Sequence, residues 1–388
     1  MNPAEFTSTR SGVVTKTSTG YWAFIPSPMT SELKLDQTSQ LLLSRADALV
    51  GELSGLGRNL PNPELLISPY AHREAVLSSK IEGTQASISD LFVDELSQPT
   101  EVPDDVREVR NYLRAQRVGL ENLAKLPIAS GLILKLHAEL MRGVRGENKT
   151  PGEFRRSQNW IGPAGSTPTT APFVPPPPEQ MLDAIADWER FVNARGKMPD
   201  LVQCALMHER FEAIHPFLDG NGRVGRLLIT MFLTERNRLA RPLLYVSGYI
   251  ERNRQEYYDL LQRVRTHDDR LGWVKFFLRA IAFTARQAID HADQLLKLQK
   301  EHHARLKGRH REVALIDSLF QNYYTTVSRA ADVLKVSTPT ASRIIQKLES
   351  GQILQEVTGR SWGRIYVATS IRNAVDHPPE VDEAQLGL

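Results

Sequence analysis

The sequence predicts a mainly α protein, and three observations carry that prediction. Apolar residues recur at helical spacing in segment after segment between Ser31 and Ile289. Stretches that suit strands are few and short. The segment from Arg311 to Thr369 then reads as three short helices followed by an alternating hairpin. A chain of 388 residues is expected to form two or three domains with ample cores. The net charge of +3 is small for that length and does not by itself mark a nucleic-acid binder. The single cysteine, Cys204, sits in an apolar helical segment and is expected to be a small core residue. No run of about 18 apolar residues appears, and no charged-then-apolar leader precedes a small-residue cleavage site. The chain is therefore expected to be soluble and cytoplasmic, with no membrane partner.

Residues 1–30 are rich in Ser, Thr and Pro with a few aromatics (Phe6, Tyr21, Trp22, Phe24), which predicts an extended arm packing its rings on the body. Ser31 to Leu53 has a helical pattern through Leu33, Leu35, Leu41, Leu42 and Leu49. Ser68 as cap, Pro69 in the first turn and Gly83 just past the end predict a helix over 69–82, with Ser78 and Glu82 on one face. A Pro/acidic linker is expected at 98–103. Helices follow at Asp104–Leu123 and Ile128–Met141, where His137 lies among leucines as a core or edge residue, and 142–150 is expected to be a loop. Asn159–Ile161 and Phe173–Val174 flank a Gly/Ser/Thr/Pro turn and predict a short β-hairpin, the alternative being a proline-braced loop. No role attaches to Arg155 or Arg156. Glu179–Ala194 is helical with Ile185, Trp188 and Phe191 inward.

The centre of the chain is His215-Pro216-Phe217-Leu218-Asp219-Gly220-Asn221-Gly222-Arg223-Val224-Gly225-Arg226. Apolar helical segments lie on both sides, so the stretch joins two buried helices. Pro216 stops the first, and Gly220 and Gly222 permit a tight turn at the start of the second. A turn of that kind aims several backbone N–H groups at one point, and with the helix dipole behind it forms a nest for phosphate oxygens. Arg223 and Arg226 share a helix face and add charged donors to the same anion. Asp219 is a lone carboxylate beside the nest, which suits Mg²⁺ held by one protein oxygen plus nucleotide phosphates. His215 enters from the other side and is expected to titrate near neutrality, as a general base does.

This stretch matches every fixed position of HPFx(D/E)GNGRxxR, the signature of the Fic family, and the chain resembles Fic-domain enzymes that move AMP from ATP onto a protein hydroxyl. The resemblance implies a helical Fic core with a short β-hairpin flap, which clamps the target segment by strand pairing. It implies His215 as the catalytic base and Asp219 as the Mg²⁺ ligand. Gly220, Asn221, Gly222, Arg223 and Arg226 would hold ATP. It also lends meaning to Ser78-x-x-x-Glu82-Gly83, which is similar to the (S/T)xxxE(G/N) inhibitory motif. In the family that glutamate pairs with the second arginine, here Arg226, in place of the ATP γ-phosphate. Without the resemblance, Glu82 reads as an exposed helix-terminal residue. The family lines its adenine pocket from the region 245–264, where Asn253 and Tyr257 offer an amide and an aromatic face. An amphipathic helix burying its tyrosines accounts for the same pattern.

Trp273–Ile289 is expected to close the helical domain, and Asp290–Arg309 is a polar helix expected to act as a connector. His302 and His303 are adjacent, so their rings point apart. The pieces Val313–Tyr323, Ser328–Leu334 and Thr338–Leu348, with a basic-tipped hairpin after them, resemble a winged helix. Arg343 and Lys347 lie on its second helix, and Arg360 and Arg364 on the wing. DNA binding, protein docking and homodimer formation stay open for it, since a fold does not settle function. The expected organisation is an N-terminal arm and helices over 1–100, a Fic domain over 101–290, a connector over 291–310, a winged helix over 311–370 and an acidic tail over 371–388. The activity expected is adenylyl transfer to a Tyr, Thr or Ser hydroxyl of a target protein or of the chain itself, restrained by Glu82. The alternatives are a transferase using another donor, a hydrolase removing AMP, and a DNA-binding regulator with a nucleotide-sensing core.

Overall fold

A computed structural model of the chain describes residues 1–60, 62–97, 101–144 and 149–387. Part of the expected 98–103 linker and of the 142–150 loop lies outside the described residues. After a 3-10 turn at Pro3–Glu5 come strands β1 (Gly12–Lys16) and β2 (Trp22–Pro26). The first helices are α1 (Gln37–Asn59), α2 (Glu64–Ile81), α3 (Ile88–Ser97), α4 (Asp104–Asn122) and α5 (Ser130–Leu140). The centre is built from α6 (Pro178–Asn193), α7 (Asp200–Ile214), α8 (Asn221–Glu235), α9 (Ser247–Arg252), α10 (Arg254–His267) and α11 (Arg270–Arg305). The C-terminal part contains α12 (His310–Leu319), β3 (Tyr324–Thr325), α13 (Val327–Leu334), α14 (Thr338–Ser350), β4 (Gln355–Glu356) and β5 (Tyr366–Val367). It ends with α15 (Thr369–Asp376) and α16 (Glu383–Leu386). The mainly α expectation holds, with two small antiparallel sheets among the described residues, ordered β1-β2 and β3-β5-β4.

The paired helices α7 and α8 form the innermost layer. Every α7 residue from Leu201 to Ile214 is buried, and α8 is buried from Arg223 to Leu233. A helix covered on all sides must come from within a larger core, and α4, α5, α6, α10 and α11 supply the cover. Two indoles seal it: Trp188 Nε1 donates to Met207 O at 2.9 Å and Trp273 Nε1 to Ala205 O at 2.7 Å. Cys204 is buried among these apolar side chains as expected.

Several local expectations give way to long-range packing. The N-terminal arm is a β-hairpin pairing Gly12 with Pro26 through Lys16 with Trp22. Its Phe24 packs in tilted contact, ring centroids 5.7 Å apart, against both Phe6 and Phe173. Helix α2 starts at Glu64, so Pro69 is inside it and Ser68 is no cap, its hydroxyl donating to Gln321 O at 3.1 Å. Buried Leu65 and Leu66 extend α2 backwards, because packing apolar side chains outweighs one ladder bond lost at a proline. The other end of α2 is as expected: Gly83 has φ +103°, its N–H donates to Lys80 O at 3.0 Å and Thr84 N–H to Ser79 O at 3.2 Å. Helix α3 is an addition that no expectation covered.

The 159–174 segment is pinned by a single antiparallel bridge, Ile161 with Phe173, and not by a full hairpin. Phe24 N–H donates to Val174 O at 2.9 Å, so the N-terminal hairpin supports it. The expected closing helix and connector are one continuous helix, α11, whose residues His291, Ala292 and Leu295 are buried. What covers them is α15, placed where an acidic tail was expected: Ile371, Ala374 and Val375 turn inward and His291 Nε2 reaches Ala374 O at 2.8 Å. His302 and His303 turn to different partners, Ser370 Oγ at 3.1 Å and Asp317 Oδ1 at 2.7 Å. Arg343, Lys347, Arg360 and Arg364 all lie on the surface of the C-terminal part, with Trp362 at the tip between β4 and β5. No helix among the described residues is long and apolar enough to cross a membrane.

Candidate active site

Helix α7 ends on His215, whose backbone is left-handed (φ 50°), and α8 begins after Gly220 (φ +75°). The six residues between the helices are held by side chains that reach in from both directions. Asn221 closes the turn itself: its Oδ1 accepts from Phe217 N–H at 2.9 Å and its Nδ2 donates to Phe217 O at 2.8 Å. That amide, expected to hold nucleotide, is buried and occupied with the backbone. Arg155, to which no role attached, is also buried and clamps the other side. Its Nε donates to His215 O at 3.0 Å, its Nη2 to Pro176 O at 2.5 Å, and its backbone N–H to Pro216 O at 2.9 Å. Asn159 Nδ2 donates to His215 O and Phe217 O at 3.0 and 2.7 Å. His137 stacks on Phe217 with ring centroids 3.8 Å apart and bridges Gly152 N–H to Asp219 O. Because its Nδ1 accepts from Gly152, its Nε2 must carry the proton that goes to Asp219 O. Burial pushes its pKa down to about 4, so it stays neutral in that role.

The His215 ring lies at the edge of this turn, with its side chain 20% exposed. Burial, and then the Arg265 and Arg155 guanidinium groups, push its pKa down to about 3. The expectation of titration near neutrality is corrected: the imidazole is neutral across the physiological range, so its lone pair is always available. Nδ1 is the buried nitrogen and makes no hydrogen bond, which leaves Nε2 toward the opening.

Asp219 sits at the mouth. Its Oδ1 accepts from Gly220 N–H at 2.6 Å and its Oδ2 faces Lys149 Nζ at 3.4 Å. The carboxylate is half-exposed beside this ammonium, so its position leaves room for the waters and phosphate oxygens that Mg²⁺ retains. Among the described residues no cluster of three metal-ligating side chains exists, so a cation here would rest on Asp219 as its protein oxygen. Arg223 is buried near Glu108 and Asp219, at 3.5 and 3.7 Å, and its Nε and Nη1 make no hydrogen bond. Nη1 is thus ion-paired with Glu108 without a close hydrogen bond, and Nε keeps its donor unused near the start of α8.

Arg226 is engaged from α2, as the resemblance of Ser78-x-x-x-Glu82-Gly83 to the inhibitory motif implied. Its Nε donates to Ser78 Oγ at 2.8 Å, and its Nη2 to Ser78 O at 2.9 Å and Glu82 Oε1 at 2.7 Å. Gly222 permits the approach, since a Cβ there would overlap Glu82 Oε1. Burial works against both charges, yet each partner holds the other ionised: Glu82 lies below the usual carboxylate range and Arg226 above its ordinary value.

The adenine-pocket expectation divides. Asn253 falls in the break between α9 and α10, and its Nδ2 donates back to Tyr249 O at 3.0 Å. Tyr257 is buried against Trp273 and Phe276 with its hydroxyl 2.8 Å from His208 Nε2, so its ring offers no free face. The neighbouring Tyr258 is 39% exposed, carries Arg254 over its ring at 5.7 Å, and lies within electrostatic reach of Glu82. Spacing on a helix does not tell the buried Tyr257 from the exposed Tyr258. Arg155, Asn159 and His137 carried no sequence signal beyond being polar residues near apolar ones.

Residues 40–121 match the family model described as Fic/DOC family N-terminal, and residues 127–233 the one described as Fic/DOC family. The chain is 32% identical over 200 residues to a probable protein adenylyltransferase of Aquifex aeolicus, across 49% of this chain and 53% of that protein. It is 30% identical over 168 residues to the protein adenylyltransferase Fic of Drosophila ananassae, across 43% of this chain and 29% of that protein. It thus spans about half the length of the first relative and under a third of the second. Two crystal structures share the fold. A Fic family protein from Desulfovibrio desulfuricans G20 has a TM-score of 0.58 at 20% identity, covering 88% of this chain and 98% of its own. A Fic domain containing signaling protein from Bacteroides thetaiotaomicron has a TM-score of 0.51 at 19% identity, covering 66% and 97%.

Proposed function

The chain carries the N-terminal region and the domain of the Fic/DOC family, and we propose that it is a protein adenylyltransferase, moving AMP from ATP onto a hydroxyl side chain of a target protein or of itself. The observation that carries this reading is the pairing of a carboxylate, Glu82, with the second motif arginine at the start of α8, beside a neutral histidine. A guanidinium buried at a glycine turn is a site for an anion, and the resting chain fills it with its own.

The nest before α8 supplies N–H donors to nucleotide phosphates, while Arg223 and Arg226 add charge-assisted bonds. Asn221, Arg155, Asn159 and His137 keep the turn rigid, so the donors need no rearrangement as charge develops. Asp219 would hold Mg²⁺, which when bound neutralises phosphate charge and steadies the departing pyrophosphate. His215 Nε2 accepts the proton of the incoming hydroxyl, whose oxygen attacks the α-phosphorus in line. Glu82 on Arg226 blocks this by occupying the place of a terminal phosphate, which keeps the nucleotide out of line and slows the reaction steeply.

The test is incubation with ATP labelled at the α-phosphate, using Glu82→Ala and Glu82→Ala/His215→Ala. Label on protein in the first and none in the second is expected. Equal labelling of both, or no protein label in the first with ATP demonstrably bound, refutes the reading.

A further inference from the structure

Glu212 stands three residues before His215 on α7, hence on the same helix face. It is buried at 6% exposure, and its Oε1 makes no hydrogen bond. Its Oε2 lies 3.9 Å from His215 Nδ1. That nitrogen meets no acceptor at close hydrogen-bond geometry, and the side it faces belongs to Glu212, through the carboxyl and a weakly interacting backbone carbonyl. Helix α8 makes room for the carboxyl: a Cβ on Gly225 would come within 2.7 Å of Glu212 Oε1 and 3.2 Å of the His208 ring. An orphan imidazole nitrogen beside a buried carboxyl whose other oxygen is also orphaned, with a glycine placed to admit that carboxyl, is an exception that calls for a reason.

The charged and titratable neighbours come from four helices. Arg226 faces Glu212 from α8, Glu82 from the end of α2, Arg265 and Tyr257 from α10, and Glu209 from α7. Burial pushes the Glu212 carboxyl up to about 7, with Arg226 pulling it down and Glu82 pushing it further up. Its charge is thus set near neutral pH and is coupled to that of Glu82.

We propose that Glu212 is the positioning residue of His215: it accepts the Nδ1–H, so that Nε2 keeps its lone pair toward the opening, and it stabilises the imidazolium formed when the base takes a proton. This rests on the adenylyl-transfer reading above. In the step, the hydroxyl proton moves to His215 Nε2 and the oxygen–α-phosphorus bond forms. The bond from α-phosphorus to the bridging oxygen breaks, and its electron pair leaves with pyrophosphate. The Nδ1–H stays on the ring and tightens onto the ionised Glu212, closing a 3.9 Å gap of the kind that resting sites commonly show. The imidazolium then returns its proton to solvent.

The experiment compares Glu82→Ala with Glu82→Ala/Glu212→Gln in the full chain, following self-labelling from pH 5 to 9. Gln keeps the shape and removes the charge, so the variant is expected to fold and to raise Tm above pH 7. The parent is expected to gain activity with pH through an acid limb near 6–7, well above the His215 value. The Gln variant is expected to lose that limb and tenfold or more in kcat, with KM for ATP within twofold. An unchanged limb and kcat mean that the Glu212 backbone carbonyl suffices, and overturn the proposal. Nitrogen NMR of the His215 ring is read on both proteins without ATP. An inflection near pH 7 that Glu212→Gln removes supports the pairing, and its absence from the parent refutes it. Should the parent fail to label at all, the transfer reading falls while this titration still decides the Glu212 role.

Discussion

Replacing Glu82 by Ala should release the site and weaken the fold together. The carboxylate lies 2.7 Å from the Arg226 guanidinium, whose side chain is 1% exposed against 36% for Glu82. Opposite charges about 4 Å apart are worth roughly 4 kcal/mol at an effective dielectric of 20. With a third of Glu82 in water, solvent screening reduces this to about 1–3 kcal/mol. On the proposed reading an ATP phosphate displaces that interaction, and each ~1.4 kcal/mol is tenfold. Apparent ATP affinity and the initial self-labelling rate should therefore rise about 5- to 150-fold. Ala is tolerated at φ −88°, ψ 0°, so the end of α2 persists. Arg226 keeps Ser78 Oγ and O but loses its counter-charge, so the variant should unfold a few degrees lower and recover on adding ATP. Calorimetric titration of ATP, label incorporation and a melting curve read the three effects. Affinity and rate both within twofold of the starting chain would refute the inhibitory role of Glu82.

Two further outcomes follow from the same packing. Asn221→Ala leaves the buried Phe217 N–H without its acceptor and should cost about 2–4 kcal/mol of stability, with the turn's anion affinity falling alongside; an unchanged Tm would show that the turn is held without that amide. Stability should also fall as pH drops below about 6.5. Burial holds His137 and His291 at about 4 and His208 and His215 at about 3, so the unfolded chain takes up protons that the folded one refuses. By linkage each ring then costs up to roughly 2 kcal/mol at pH 5. Glu212 works with the opposite sign, its cost growing as pH rises from 4.5 to about 7. A Tm constant between pH 7 and 5 would contradict the burial of these rings.

Much of this molecule is local and hence legible from the chain alone. Two apolar helices around Pro216 and Gly220 read as helix, turn, helix, because proline and glycine act on the backbone where they stand. The residue types of the nest, His215, Asp219, Arg223 and Arg226, follow from that turn, and Gly83 ends α2 for the same local reason. What a polar side chain does, however, depends on which partners and how much water surround it, and those come from residues far away in sequence. Asn221 serves the turn because Phe217 turns its backbone inward. Tyr257 is lost to the core because Trp273 packs on it, leaving Tyr258 exposed. Arg226 meets Glu82 from 144 positions away only when α2 lies across α8. His215 has its ordinary titration moved far down by burial that no stretch of sequence displays. Backbone geometry was written locally in the chain, whereas desolvation and pairing arose only when distant helices closed around it.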